Sequence, residues 1–144
     1  MGLMISGQER LFFDTAPFIY LFEKHERYEP ILRTFFSRPV IRQCRWGTSV
    51  ISLIEVLTLP RRNGFARMED GYRRFLTDVR RIELITADVD VCSRAVYFRA
   101  EYGLKTPDAI QLAAAQSFGA DVVVTNDYAW KKIKELNVVT LDEL

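Results

Sequence analysis

The sequence predicts an α/β protein, doubly wound in three α/β/α layers around a parallel sheet of about five short strands. Short apolar runs bounded by polar residues alternate with amphipathic helical stretches along the chain. That pattern belongs to a parallel sheet covered by helices on both faces. One full unit of it stands in Leu104 to Asp127, LKTPDAIQLAAAQSFGADVVVTND: a capped helix, a turn, a buried strand and then an acid. No repeat, low-complexity tract or linker interrupts the alternation, and 144 residues is the size of one domain. Residues 1–144 are therefore read as a single unit, with 1–10 as a loose N-terminal extension to it.

Taken in order, Leu11-Phe12-Phe13 reads as the first strand, with Asp14-Thr15 at its carboxyl end. Pro17 opens a short helix over Phe18 to Glu23. A second helix from His25 to Phe36 carries the apolar stripe Tyr28, Ile31, Leu32, Phe35 and Phe36, and Arg38-Pro39 stops it. Val40 to Trp46 shows a weaker strand pattern. Ser49 to Leu59 reads as a helix ended by Pro60 and the Arg61-Arg62-Asn63-Gly64 turn. Ala66 to Arg80 is amphipathic and arginine-rich, although Gly71 weakens its helical propensity. Ile82 to Ile85 is a brief strand, after which Asp88 or Asp90 caps a helix that Gly103 closes beyond Tyr102. In the next helix Thr106 is the expected N-cap, with Pro107 in the first position and Asp108 in the first turn. Gly119 supplies its left-handed C-cap. The β-branched run Val122 to Val124 is a buried strand, followed by a short basic helix (Trp130 to Glu135) and a last strand near Val138-Val139-Thr140.

Composition excludes several classes. With 49% hydrophobic and 27% charged residues the chain is globular rather than disordered. A net charge of +1 leaves nucleic acid to local patches only. The candidates are Arg61-Arg62, Arg73-Arg74, Arg80-Arg81 and Lys131-Lys132, with Lys105 and Arg45 besides. No apolar run approaches the roughly 18 residues of a membrane span, and Met1 to Arg10 does not resemble a secretory signal. A cytoplasmic protein without membrane contact is expected. Cys44 and Cys92 form no metal or redox spacing and read as reduced thiols. His25, the single histidine, lies in a charged segment that faces solvent, so chemistry here falls to carboxylates, hydroxyls and cations.

Four acids occupy special places. Asp14 and Asp127 follow strands, Asp108 opens a helix, and Glu55 stands in the apolar run ISLIEVLTL with no Lys or Arg three or four positions away. Each has an ordinary reading: a turn residue, a first-turn acid favoured by the helix dipole, a cap, or a solvent-facing glutamate. Together they fit one edge of a doubly wound sheet, where ligands bind beyond the carboxyl ends of the strands. Like charges brought together repel by about 4 kcal/mol per close pair at an effective dielectric near 20, which protonation or a cation relieves. Oxygen ligands without His or Cys favour Mg²⁺ or Mn²⁺ over Zn²⁺.

FFDTA near the start, SVISLIEV in the first third, KTPDAIQLAAA and VVVTND together resemble the PIN-domain family. The resemblance is closest to the VapC-like ribonuclease toxins of type II prokaryotic toxin–antitoxin pairs, and it spans Leu11 to the C-terminus. It implies a PIN-like fold with an acidic pocket for Mg²⁺ or Mn²⁺, and cleavage of RNA phosphodiester bonds by metal-assisted hydrolysis. It also implies a homodimer and inhibition by a cognate antitoxin protein. Carried over by motif, Asp14, Glu55, Asp108 and Asp127 are the acidic positions, with Thr125 as the hydroxyl beside them. The chain departs from the pattern at Ala16-Pro17-Phe18, where small or aliphatic residues are more usual, and at Tyr128-Ala129-Trp130. Two alternatives keep the fold: a scaffold that binds RNA or protein without cutting, and a nuclease of RNA processing. A phosphoacceptor receiver domain fits poorly, since the strand Ile82 to Ile85 ends in Thr86-Ala87 and no late-strand lysine follows.

Overall fold

The computed structural model describes residues 3–144; Met1 and Gly2, part of the expected N-terminal extension, lie outside them. The chain runs β1 (Arg10–Phe13), α1 (Thr15–Phe22), α2 (Tyr28–Ser37), α3 (Pro39–Gln43), β2 (Arg45–Ser49), α4 (Val50–Arg62) and α5 (Ala66–Leu76). It continues through β3 (Glu83–Ile85), α6 (Val89–Tyr102), α7 (Thr106–Phe118), β4 (Val122–Thr125) and β5 (Val138–Thr140). Short 3-10 turns cover Tyr128–Lys132 and Leu141–Glu143. The five strands form one sheet in the order β3-β2-β1-β4-β5, and every pairing is parallel. The expected α/β class and doubly wound layering are thus present.

Strand alternation builds the two faces. Leu11 and Phe13 of β1, with Val122 and Val124 of β4, point into a core shared with Phe18, Leu32, Phe35, Val56, Tyr72 and Leu76. Phe12 and Val123 point the other way, against Val91, Phe98, Leu112, Phe118 and Trp130. Helices α1, α2, α4 and α5 therefore cover one side, and α6 and α7 the other. Central strands buried on both faces read as continuous apolar runs. Leu3 and Ile5, from the stretch expected to be loose, pack against the first core.

Several boundaries differ from expectation. Val40 to Gln43 is helical, and only Arg45-Trp46 of the expected strand is strand. Pro39 stands in the first turn of α3 after an extended Arg38, since proline's fixed φ suits a helix start. Trp46 Nε1 then donates to Ile41 O at 2.9 Å, and the strand begins at Arg45. Pro60 does not end α4, which runs to Arg62 with Pro60 buried inside it. So late in a helix, the missing N–H and the kink cost little continuity. Helix α5 stops at Leu76 rather than Arg80, because Thr77 Oγ1 donates to Arg73 O at 2.6 Å and Asp78 accepts from the Arg80 N–H at 3.2 Å. Such side-chain bonds to nearby backbone compete with helix continuation. Helix α7 begins one residue early: Ala109 N donates to Lys105 O at 3.0 Å, so Lys105, not Thr106, is the N-cap. The expected basic helix is the 3-10 turn at Tyr128–Lys132, started by Asp127, which accepts from Ala129 N at 3.0 Å.

Candidate functional site

The order β3-β2-β1-β4-β5 reverses direction at β1 and β4. At such a switch point the loops leaving adjacent strands part to opposite faces and open a crevice at their carboxyl ends. Asp14 leaves β1 there, and Thr125, Asn126 and Asp127 stand at the end of β4. A hydrogen bond between side chains spans the crevice, where Thr125 Oγ1 donates to Asp14 Oδ2 at 2.8 Å. The same Thr125 oxygen accepts from Asp127 N at 3.0 Å, which turns the chain out of β4.

Asp14 is also the N-cap of α1, its Oδ1 accepting from Thr15 N at 2.7 Å. Glu55 comes from the outer side of α4, and Thr15 Oγ1 donates to its Oε1 at 3.3 Å. Asp108 lies in the first turn of α7, half-buried. Asp127 is exposed and caps the following 3-10 turn. The ordinary reading of Asp127 as a cap therefore holds together with its position at the crevice, and Asp14, read as a turn residue, is the cap of α1.

Electrostatics ties the acids together. Burial pushes the Asp14 carboxyl up to about 6, against the Thr125 and Thr15 hydrogen bonds, and the charges of Glu55 and Asp108 raise it further. Glu55 is also raised, by partial burial of its head and by Asp108, with the Thr15 hydroxyl opposing. Asp108 is raised by burial and by Asp127, while Lys105 pulls it down. Among the described residues none of the four acids is ion-paired to Lys or Arg.

Beneath them lies a buried polar layer that the sequence reading did not single out: Thr15, Thr48, Ser49, Ser52 and Gln111. The signal for Gln111 was its place three residues after Asp108, among the alanines of α7. Thr48 Oγ1 lies 2.7 Å from Phe13 O and 2.8 Å from Ser52 Oγ. Ser49 caps α4 by accepting from Ile51 N at 3.1 Å.

The candidate phosphate-binding cations fare unevenly. Arg61 and Arg73 pair with Glu69, Arg74 with Asp70, Arg80 with Asp78 and Arg45 with Glu83. Lys131 donates to Val138 O at 2.8 Å and pairs with Glu143, and Lys132 donates to Tyr102 O at 3.3 Å. Among the described residues Lys105 makes no ion pair, and its charge acts on Asp108. A separate cleft of about 530 Å³ contains none of the acids. It is floored by Leu21, Phe36, Trp46 and Phe75 and rimmed by Arg42, Arg80 and Arg81. Trp46 belongs to the amino-terminal half of β2 and Arg81 precedes β3, so this cleft opens toward the opposite end of the strands.

Residues 11–136 match the family model of the PIN domain. Curated proteins give no match. Among solved structures, a toxin–antitoxin complex from Klebsiella pneumoniae is 29% identical with a TM-score of 0.68, covering 93% of this chain and 99% of that one. DNA-bound VapBC from Salmonella typhimurium aligns at 20% identity and TM-score 0.74, covering 93% and 99%. VapC20 of Mycobacterium tuberculosis, a Sarcin–Ricin loop cleaving toxin, aligns at 16% identity and TM-score 0.68, covering 88% and 98%.

Proposed function

Because this chain belongs to the PIN-domain family, we propose that it is a divalent-metal-dependent ribonuclease, hydrolysing RNA phosphodiester bonds as the toxin of a toxin–antitoxin pair. This reading is supported by the pairwise charge coupling of Asp14, Glu55, Asp108 and Asp127 near the switch point of a parallel sheet, with three of them raised and none paired to Lys or Arg among the described residues. Such a cluster is relieved by a cation, and a donor set made of carboxylate oxygens suits Mg²⁺ or Mn²⁺. Among the described residues no three His, Cys, Asp or Glu side chains converge as a ready-made ion cage. Mg²⁺ does not require one, since it binds through one or two carboxylates and keeps water or phosphate oxygens on its other positions.

Asp14, Glu55 and Asp108 would hold the ion, directly or through water, with Asp127 beside them. Bound there, the ion supplies Lewis acidity toward a phosphoryl oxygen and a water of lowered pKa. The protein's own part is positional. Thr125 holds Asp14 Oδ2, Thr15 holds Asp14 Oδ1 through its N–H and Glu55 through its hydroxyl, and Lys105 offers a cation to the backbone of an incoming RNA. RNA is favoured as substrate by the likeness to VapC20, described as cleaving the Sarcin–Ricin loop.

An antitoxin partner is supported by neighbours that are toxin–antitoxin complexes, and the arginine-rimmed cleft is the concavity that suits a peptide segment. A homodimer is supported by the apolar surface of α6, where Val89 and Val96 are 84% and 67% exposed. Calorimetry with Mn²⁺ tests the central claim. The wild type should bind saturably and Asp14→Asn should not, with cleavage of RNA lost in the same variant. Full cleavage by Asp14→Asn would refute the assignment.

A further inference from the structure

Gln111 is at odds with the helix face it occupies. Around it α7 buries Ala109, Leu112, Ala113, Ala114, Ala115 and Phe118, yet Gln111 is only 1% exposed. A carboxamide so placed is unfavourable unless both its ends are hydrogen-bonded. Both are. Ser49 Oγ donates to its Oε1 at 2.7 Å. Its Nε2 reaches Ser52 Oγ at 2.9 Å, Thr15 Oγ1 at 3.2 Å and Asp14 Oδ1 at 3.4 Å.

Groups that can only accept orient this network. Phe13 O and a charged Glu55 can only accept, so they take the hydroxyl hydrogens of Thr48 and Thr15. Thr48 Oγ1 also donates toward Ser52 Oγ at 2.8 Å, and Ser52 accepts from Gln111 while lying 3.0 Å from Thr15 Oγ1. Ser49 already accepts from the Ile51 N–H, which leaves its own hydrogen for Gln111 Oε1. The oxygen end of the amide is thereby tied to the start of α4, and the nitrogen end must face the acids. Of its two hydrogens one goes to Ser52, and the other is shared between Thr15 Oγ1 and Asp14 Oδ1.

We propose that Gln111 is a positioning residue of the carboxylate site: held by Ser49, its amide aims Asp14 directly and Glu55 through the Thr15 hydroxyl. The inference rests on the reading of these acids as metal ligands. A role in packing alone would be met by any side chain of this volume, whereas positioning requires the N–H.

Mn²⁺ calorimetry on full-length variants separates the two roles. Gln111→Met keeps the volume and removes the N–H, and should weaken Mn²⁺ affinity by about 10- to 100-fold, as loss of an outer partner of a metal ligand does. Leu76→Ala, in the buried face of α5 away from the site, should lower the melting temperature and leave Mn²⁺ affinity unchanged. Should Gln111→Met fail to fold, Thr15 decides. Thr15→Val, equal in shape, should weaken binding, and Thr15→Ser should restore it. Wild-type affinity in Gln111→Met or Thr15→Val, or equal weakening in Leu76→Ala, overturns this inference while the metal reading stands. A wild type that binds no Mn²⁺ overturns both.

Discussion

Asp14 does three things at once: it caps α1, accepts from Thr125 and faces two other carboxylates. Its carboxyl, about 6 in the fold, stands above the 3.8 of a free aspartate. Between those values the folded protein keeps a proton that the unfolded chain has lost. The resulting stabilisation is full below about pH 4 and disappears as pH rises through about 6. At neutral pH the Asp14 charge therefore destabilises the fold. Asp14→Asn should raise the melting temperature at pH 7.5, at roughly 2–4 °C per kcal/mol for a chain of this size, and the gain should vanish at pH 4. Thermal scans at the two pH values check it, and a lower melting temperature at pH 7.5 would contradict it. Thr125→Val should act differently. It leaves the four acids in place but frees Asp14 Oδ2, so Mn²⁺ affinity should fall about 10-fold. The four acids were legible in the sequence because strand ends and a helix start mark them locally. Gln111, Ser49 and Thr48 were not, since nothing near them in the chain says that β2 and α7, far apart in sequence, bury them against one another.

At the level of elements, what the sequence showed well was whatever local chemistry decides. Gly103 and Gly119 close α6 and α7 at positive φ, and Asp88 caps α6 through its side chain. What it misplaced was decided by competition between neighbouring signals. Pro39 started a helix inside an apparent strand, and Thr77 and Asp78 ended α5 before its arginine pattern ran out. Ser49→Ala removes both the cap of α4 and the donor to Gln111, and should cost about 1–3 kcal/mol of stability by denaturant titration. Gly47 of β2 marks where α7 meets the sheet. A methyl there would lie 3.0 Å from the Phe118 ring, so Gly47→Ala should destabilise by about 1–3 kcal/mol through overpacking. The Phe118 ring at the end of α7 must give way by a few tenths of an ångström. Unchanged stability in Gly47→Ala would show that the helix yields freely.

Across the whole molecule, the fold class followed from alternation alone, while strand order did not, because which strands pair depends on long-range packing. The structure adds a division of labour between the two ends of the sheet. Acids gather at the carboxyl end, and the arginine-rimmed cleft lies toward the other. The rings in that cleft are already engaged: Trp46 packs on Phe13 and Phe36 at centroid distances of 5.9 and 5.0 Å, and Arg81 covers Phe75. The cleft thus offers an apolar floor for side chains more readily than a free aromatic face for a base. Under the proposed function, Arg81→Glu should impair antitoxin binding and leave Mn²⁺ affinity intact, which pull-down with the partner and calorimetry would read separately.

The placing of β1 sets a timetable. It is the first strand to be synthesised, yet it lies between β2 and β4, and the Asp14 N–H is satisfied only by Val124 O, at 2.9 Å. The Thr125 hydroxyl that orients Asp14 comes 111 positions later in the chain. At about 5–20 residues per second, translation takes roughly 5–20 s to cover that separation. Throughout that interval the nascent chain holds its acids without the strand that assembles them. A ribosome stalled before β4 therefore displays Asp14, Glu55 and Asp108 without the strand whose hydroxyl orients the first of them.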